Sequence, residues 1–369
     1  MSSTDLLYKI AITLVNDVGD ITAKRLISYC GGVEAVFKEK KTGLLKIPGI
    51  GQVVVRALEN KTVFNRAEQE MKFIEKEKIT PLFYLDKNYP KRLLHCEDSP
   101  VLLYTKGDAD LNNQKVLGIV GTREATDYGK QITEKIAQGL SEYNVLIVSG
   151  LAYGVDIAAH KAALKNNLPT AGVLAHGLDR IYPSAHRSVA KSMCENGMLI
   201  TECLSGTIPD RENFPKRNRI VAGMVDALLV VESGRKGGSL ITAEIAHSYN
   251  RDVFAVPGKS GDEFSTGCNW LIKTNKATLV ESYEDILFQT GWIEDKIKTT
   301  KKEIQRTLFV DLNEDEKVLV NILNTKEIIA LDDLCLDAKI PVSKASSTLL
   351  NLEFKGIVKS LPGKSYRLT

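Results

Sequence analysis

Residues 116–124 read VLGIVGTRE, an apolar run of strand length that closes on Gly121, Thr122 and Arg123. Six runs of the same kind follow: VLIVSG (145–150), TAGVLA (170–175), MLITE (198–202), ALLVVES (227–233), DVFAVP (252–257) and ATLVE (277–281). The runs are apolar at positions that would face both sides of a sheet, and amphipathic helical pattern separates them. Strands of that character predict a parallel sheet covered by helices on both faces, a doubly wound α/β fold.

In such a sheet the carboxyl ends of the strands lie on one edge, and the helix N-termini that follow aim unpaired N–H groups at it. Three loops at that edge are rich in glycine and small polar residues: Gly121-Thr122-Arg123, Ser149-Gly150-Leu151-Ala152-Tyr153-Gly154, and Gly234-Arg235-Lys236-Gly237-Gly238-Ser239. Glycine lets the backbone approach an oxyanion closely, while Arg123 and Lys236 add full charges, so the edge is expected to handle phosphate. A nicotinamide or flavin site is disfavoured by spacing. The first turn, Gly118-Ile119-Val120-Gly121-Thr122-Arg123, lacks the G-x-G-x-x-G frame, and the second strand ends on Ser149-Gly150 with no carboxylate for a ribose hydroxyl.

The segment 208–219, IPDRENFPKRNR, reads as a long loop ahead of a helix at the same edge, with Arg211, Lys216, Arg217 and Arg219 close to Phe214 and Asn218. Guanidinium forks on Arg217 and Arg219 suit phosphate oxygens, and Phe214 offers a face for an unpaired base. The competing reading makes Phe214 a core anchor and pairs the arginines with Asp210, Glu212 or Asp226. No catalytic constellation emerges. His160, His176, His186 and His247 are scattered, and Ser149 lacks the G-x-S-x-G frame of a nucleophile elbow. Glu244, in GGSLITAE, is the one candidate for acid–base chemistry; it would serve a nucleoside-monophosphate hydrolase-like enzyme, although the Gly-Thr pair of such enzymes is missing from Gly237-Gly238-Ser239-Leu240-Ile241-Thr242.

Two modules flank the sheet. Residues 1–80 are expected to form a helical domain of helix-hairpin-helix or SAM-like type, because Val18-Gly19-Asp20 and Ile47-Pro48-Gly49-Ile50-Gly51 each open a helix, a pairing suited to backbone contact with phosphate. Residues 81–293 hold the sheet, with 81–111 as lead-in, and the lysine-rich stretch inside 294–309 reads as a linker. Residues 310–369 follow the order of a winged helix, with two strands joined by Leu361-Pro362-Gly363-Lys364; its recognition helix carries Ser346, Ser347 and Leu349 and is poor in arginine.

Composition narrows the rest. With 49 basic and 46 acidic residues the net charge is only +3, so local clusters rather than bulk charge must attract any polyanion. The six cysteines form no CxxC pair and no histidine stands at zinc-ligand spacing, so no metal site or disulfide framework is expected, and no cofactor. The cysteines read as buried, reduced thiols. Neither a leader-like N-terminus nor an apolar run long enough for a bilayer is present, which points to the cytoplasm.

The sequence resembles the DNA-processing protein A (Smf) family over essentially its whole length. The motifs are Gly121-Thr122-Arg123 with Tyr128-Gly129, Val148-Ser149-Gly150-Leu151-Ala152, Asp156 with Ala159-His160, Gly177-Leu178-Asp179 with Tyr182-Pro183, Phe214-Pro215-Lys216-Arg217-Asn218-Arg219, and Gly238-Ser239-Leu240-Ile241-Thr242-Ala243. The resemblance implies an extended Rossmann-like domain that coats single-stranded DNA without altering it, as a homodimer or higher assembly. It further implies protection of incoming strands in natural transformation and loading of the RecA recombinase, with Arg123, Lys161, Phe214, Arg217 and Arg219 lining the strand-binding pocket. This chain departs from the pattern at Tyr153, where the family usually has arginine, and at Gly237, where it often has serine.

Overall fold

A computed structural model describes residues 3–294, 312–325, 329–355, 357–361 and 365–368, which fall into two compact units on either side of 295–311. The first opens with helices α1 (Ser3–Thr13), α2 (Asp20–Cys30), α3 (Val33–Lys38), α4 (Lys41–Leu44), α5 (Gln52–Leu58) and α6 (Thr62–Glu77). It continues through β1 (Thr80–Phe83), α7 (Lys91–Leu94), β2 (Leu102–Gly107), β3 (Val116–Val120), α8 (Asp127–Leu140), β4 (Leu146–Ser149), α9 (Val155–Lys165), β5 (Thr170–Val173), α10 (Arg187–Glu195) and β6 (Gly197–Thr201). Then come α11 (Asn213–Met224), β7 (Ala227–Val230), α12 (Gly238–Ser248), β8 (Asp252–Ala255), α13 (Thr266–Lys273), β9 (Thr278–Leu279) and α14 (Tyr283–Thr290).

All seven predicted runs are strands of one nine-stranded sheet, ordered β1-β2-β6-β5-β4-β3-β7-β8-β9, and from β6 to β9 every pairing is parallel. Successive residues of β3 face opposite cores, as the pleat demands. Val116 and Val120 pack with Ile220 and Val221 of α11 and Leu240 and Ala243 of α12; Leu117 and Ile119 pack with Ile136 and Leu140 of α8 and Ala159 and Ala163 of α9. This is the Rossmann-like arrangement expected, extended by β2, which pairs antiparallel with β6, and by β1, which pairs antiparallel with β2. The sequence hid those two strands. Pro81 lies within β1, and proline cannot donate to a ladder, so it is tolerated only because β1 is the edge strand. Among the described residues no helix is long and apolar enough to cross a membrane.

Gly19 and Gly51 do precede helices, as N-caps of α2 and α5. At the first of these turns Gly19 and Ile21 are exposed, while the side chains of Asp20 and Lys24 are engaged elsewhere. Asp20 accepts the Val101 amide at 2.8 Å, and Lys24 donates to the Glu97 carbonyl and the Ser99 hydroxyl, so these two side chains of α2 hold the helices against the sheet. The turn at Pro48-Gly49 is exposed, with Arg25 lying across Gly49 and donating to the Pro48 carbonyl at 3.1 Å. The six cysteines are free, but Cys30, Cys194 and Cys203 are only half-buried.

The second unit contains α15 (Glu314–Thr325), β10 (Ile329–Ala330), α16 (Leu331–Ala338), α17 (Val342–Phe354), β11 (Val358–Leu361) and β12 (Ser365–Leu368), with strand order β10-β12-β11. It is a winged helix. Leu349, read as part of the recognition surface, is fully buried with Leu319, Leu334 and Leu352; α17 exposes Val342, Leu350 and Phe354 instead. The expected linker, beyond Glu294, and the turn at 362–364 lie outside the described residues.

Candidate nucleic-acid interface

From β3 the chain winds outward through β4, β5 and β6, then returns to place β7 on the other side of β3. Ligands of open α/β sheets bind at such a switch point, outside the carboxyl ends of the strands. Here it carries a cavity of about 620 Å³ whose walls include Gly121, Thr122, Arg123, Gly150, Asp156, Arg211, Phe214, Arg217, Asn218, Gly238 and Ser239. All three glycine-rich loops therefore meet at one place.

The segment read as a loop is in large part helix, because α11 begins at Asn213, with Pro215 in the first turn, where a missing N–H costs nothing. This changes which residues can act together. Phe214, Arg217, Asn218 and Val221, spaced i, i+3, i+4 and i+7, share one helix face and all line the cavity. Arg219, two positions from Arg217, points the other way. Its guanidinium engages the Asp98 carbonyl, Asp20 at 3.1 Å and Glu202, partners that differ from those weighed on sequence. Arg219 thus ties α11 to β6 and to the N-terminal helices. Burial pushes the Glu202 carboxyl up to about 7, against the opposing pull of Arg219.

Arg217 is 5% exposed; its Nη1 donates to the Val173 carbonyl at 2.7 Å, and its Nε has no partner among the described residues. It lies so close across Gly150 that a Cβ there would come within 1.7 Å of Nη1, which is why this position needs glycine. Buried Asp156 faces it electrostatically and accepts the amides of Gly150 and Ala152 at 3.2 and 3.3 Å. Burial raises the Asp156 carboxyl and lowers the Arg217 guanidinium, each opposed by the other's charge. Beside them Thr170 donates to the Ile147 carbonyl and so receives Nδ1–H of His160, whose pKa burial lowers to about 3. At physiological pH that imidazole is neutral and, with so low a pKa, a poor proton acceptor.

The start of α12 has no side-chain cap, since N-cap Gly237 supplies none, and Gly154 leaves α9 in the same condition. By contrast α8 is capped by Thr126, whose hydroxyl donates to buried Glu232. Gly154, at φ +77°, lets the β4–α9 loop pass the β3–α8 loop: a Cβ there would meet the Thr122 carbonyl at 2.1 Å.

At the rim the Arg123 guanidinium stacks over the Phe214 ring at 5.0 Å, an attraction of cation–π type. Arg123 and Phe214 also border a narrower slot with Tyr153, Tyr182 and Pro183, and the rings of Tyr182 and Phe214 are 6.4 Å apart. Tyr182 escaped the sequence reading because it reaches the rim from the β5–α10 connection; the Tyr182-Pro183 pair was its only signal. Among the other expected contacts, Lys161 lines a neighbouring cleft, while Lys216 and Lys236 are exposed but border none of these hollows. The Ser149 hydroxyl is spent on the Ile119 carbonyl at 2.6 Å, and that of Ser239 on Ser233 at 2.8 Å. Glu244 lies elsewhere, paired with Lys276 at 3.1 Å.

Known proteins share this arrangement. The sequence profile of the DNA recombination-mediator protein A family matches residues 80–291. The chain belongs to that family. A second profile, the DprA winged helix domain, matches residues 310–364. Protein Smf of Synechocystis is 32% identical over 399 residues, spanning 100% of both chains, and the DNA processing protein DprA of Streptococcus pneumoniae is 41% identical over 213 residues, 58% of this chain and 75% of that one. The X-ray structure of the S. pneumoniae DprA matches with TM-score 0.64 and 34% identity, covering 77% of this chain and 97% of that one. The DprA of Helicobacter pylori, described for its single-stranded-DNA-binding mode, matches with TM-score 0.53 and 30% identity over 57% and 95%. At the two departures from the family pattern, the Tyr153 ring is exposed over His186 with centroids 5.0 Å apart, and Gly237 caps α12.

Proposed function

We propose that this chain binds single-stranded DNA at the switch-point cavity without chemically altering it, shields the strand, and passes it to a RecA-type recombinase during DNA uptake. The observation that carries this reading is the Arg123–Phe214 pair at the mouth of the cavity, a cation and an aromatic face set side by side beside the uncapped start of α12. A phosphate can meet the charge and the helix N-terminus while the neighbouring base stacks on the ring. Family membership adds the recombination-mediator role, and we extend it to a cytoplasmic homodimer or higher assembly. A hydrolytic role finds no support in the cavity: Glu244 is not among its lining residues and pairs with Lys276, the Ser149 hydroxyl is internally bonded, and burial leaves His160 a poor proton acceptor.

Stacking and phosphate contact respond differently to salt, which separates the two parts of the proposed grip. Each phosphate neutralised on a single strand contributes about −0.7 to the slope of log K against log salt. Arg123→Ala should flatten that slope by about one such step. Phe214→Ala should cost ~1 to 3 kcal/mol at every salt concentration and leave the slope alone. Fluorescence anisotropy on oligo-dT reads both. Native affinity in the Phe214 variant, or an unaltered slope in the Arg123 variant, would contradict the assignment.

A further inference from the structure

Beside the central cavity lies a second cleft, of about 470 Å³, between α8 and α9. The two hollows share Arg123 and Glu124, and the cleft shares Tyr153 with the aromatic slot, so a chain leaving the cavity past Arg123 enters it directly. Its α9 wall is one helix face, with Gly154, Ala158, Lys161 and Lys165 at helical spacing; α8 contributes Lys130 and Glu134 one turn apart. Ala125, Gly154, Ala158 and Ala162 contribute only small groups, which leaves room for a backbone to lie close.

We propose that this cleft is a second strand-binding subsite, in which Lys130, Lys161 and Lys165 hold the phosphodiester backbone of nucleotides running on from the central cavity. The inference rests on the reading of that cavity as a single-strand site. Lys161 is exposed, and among the described residues it has no ion-pair partner. Lys165 pairs with Glu134, and Lys130 with Asp127 at 3.2 Å. Both pairs sit on the surface, where such bridges contribute little, so an incoming phosphate can take over either lysine at small cost. Glu134 then acts as the carboxylate that the strand must displace. Apart from Ile157 and the Tyr153 ring the cleft is bordered by small or charged groups, Arg123, Lys130, Lys161 and Lys165 among them, so the lining offers four cations and space for a backbone rather than the broad apolar centre of a protein-docking patch.

The test is binding by the full chain of two oligo-dT lengths, ~5 and ~15 nucleotides, the short one filling only the central cavity and the long one reaching the cleft. Lys130→Ala/Lys165→Ala should weaken the long oligonucleotide about tenfold at low salt, flatten its salt slope by about 1.4, and leave the short one unchanged. Glu134→Gln should tighten the long oligonucleotide alone, about two- to fivefold, because it frees Lys165. Glu68→Gln, on helix α6, controls for a general loss of negative charge and should change neither. Equal effects on both lengths, no effect on either, or a Glu68→Gln gain as large as that of Glu134→Gln would overturn the subsite. A wild-type chain that binds the short oligonucleotide as tightly as the long one would overturn it while sparing the central cavity. Failure to bind either would remove the cavity reading itself.

Discussion

Arg217→Ala is expected to destabilise the fold by about 3 kcal/mol and to abolish strand binding, since it removes the cation that faces a buried carboxyl partner and leaves that group uncompensated. The partner is Asp156, 7% exposed and already raised by burial with Arg217 in place. Without the guanidinium that carboxyl rises further. A carboxyl whose folded pKa exceeds its unfolded value costs stability as pH rises through that window, because the folded state must give up a proton that it binds more tightly. The deficit of the variant should therefore be largest near neutral pH and shrink on acidification, as measured by denaturant melts between about pH 4 and pH 7. A constant deficit across that range would mean that Asp156 is not the group left stranded. Arg217→Lys tests geometry in the same way: a lysine keeps the charge but cannot both cross Gly150 and reach the Val173 carbonyl as the planar fork does, so most of the loss should persist.

Arg219→Ala should cost about 3 kcal/mol, at the low end for a buried pair because Asp20 keeps some contact with water. The discriminating result is in binding. Arg219 faces away from the cavity, so the folded variant should keep the wild-type salt slope on oligo-dT, whereas Arg123→Ala does not. Replacing Arg219 and Glu202 together with apolar residues should recover much of the stability, since the pair then leaves no orphaned charge. Glu202 also predicts a pH signature. With its folded pKa near 7, above the ordinary carboxylate value, its contribution falls as pH rises from about 4.3 toward 7, and Glu202→Gln should remove that decline from the melting curve. A reduced salt slope in Arg219→Ala would return this arginine to the strand-contacting set.

Much of this architecture is legible in the amino-acid pattern alone. Strands buried on both faces, such as residues 116–120 and 227–230, carry their apolar character in every position, and helices between them leave one topology class. The meeting of the three glycine loops follows from the same rule, because all parallel strands end on one edge. Legibility ends where local pattern and tertiary role diverge. Treating 208–219 as loop concealed that Arg217 and Arg219, two residues apart on a helix, must face opposite ways. It also gave one role to two residues with different tasks. The Gly19-Asp20 turn has a helix-opening signature, yet its carboxylate is committed to the Val101 amide and Arg219, contacts distant in sequence that no local motif announces. Tyr182 has a motif signal in Tyr182-Pro183, but its place at the cavity rim is hidden for the same reason, and Leu349 looks like a surface residue only while its helix has no assigned inner face.

A grip on unpaired strands at the switch-point cavity stands or falls on a titration of the full chain with fluorescent oligo-dT and with a duplex of the same length at several salt concentrations. The single strand should bind more tightly at every salt, with affinity falling as salt rises and the oligonucleotide recovered intact. Equal or tighter binding of the duplex, or release of bases or nucleotides from the strand, would contradict that grip.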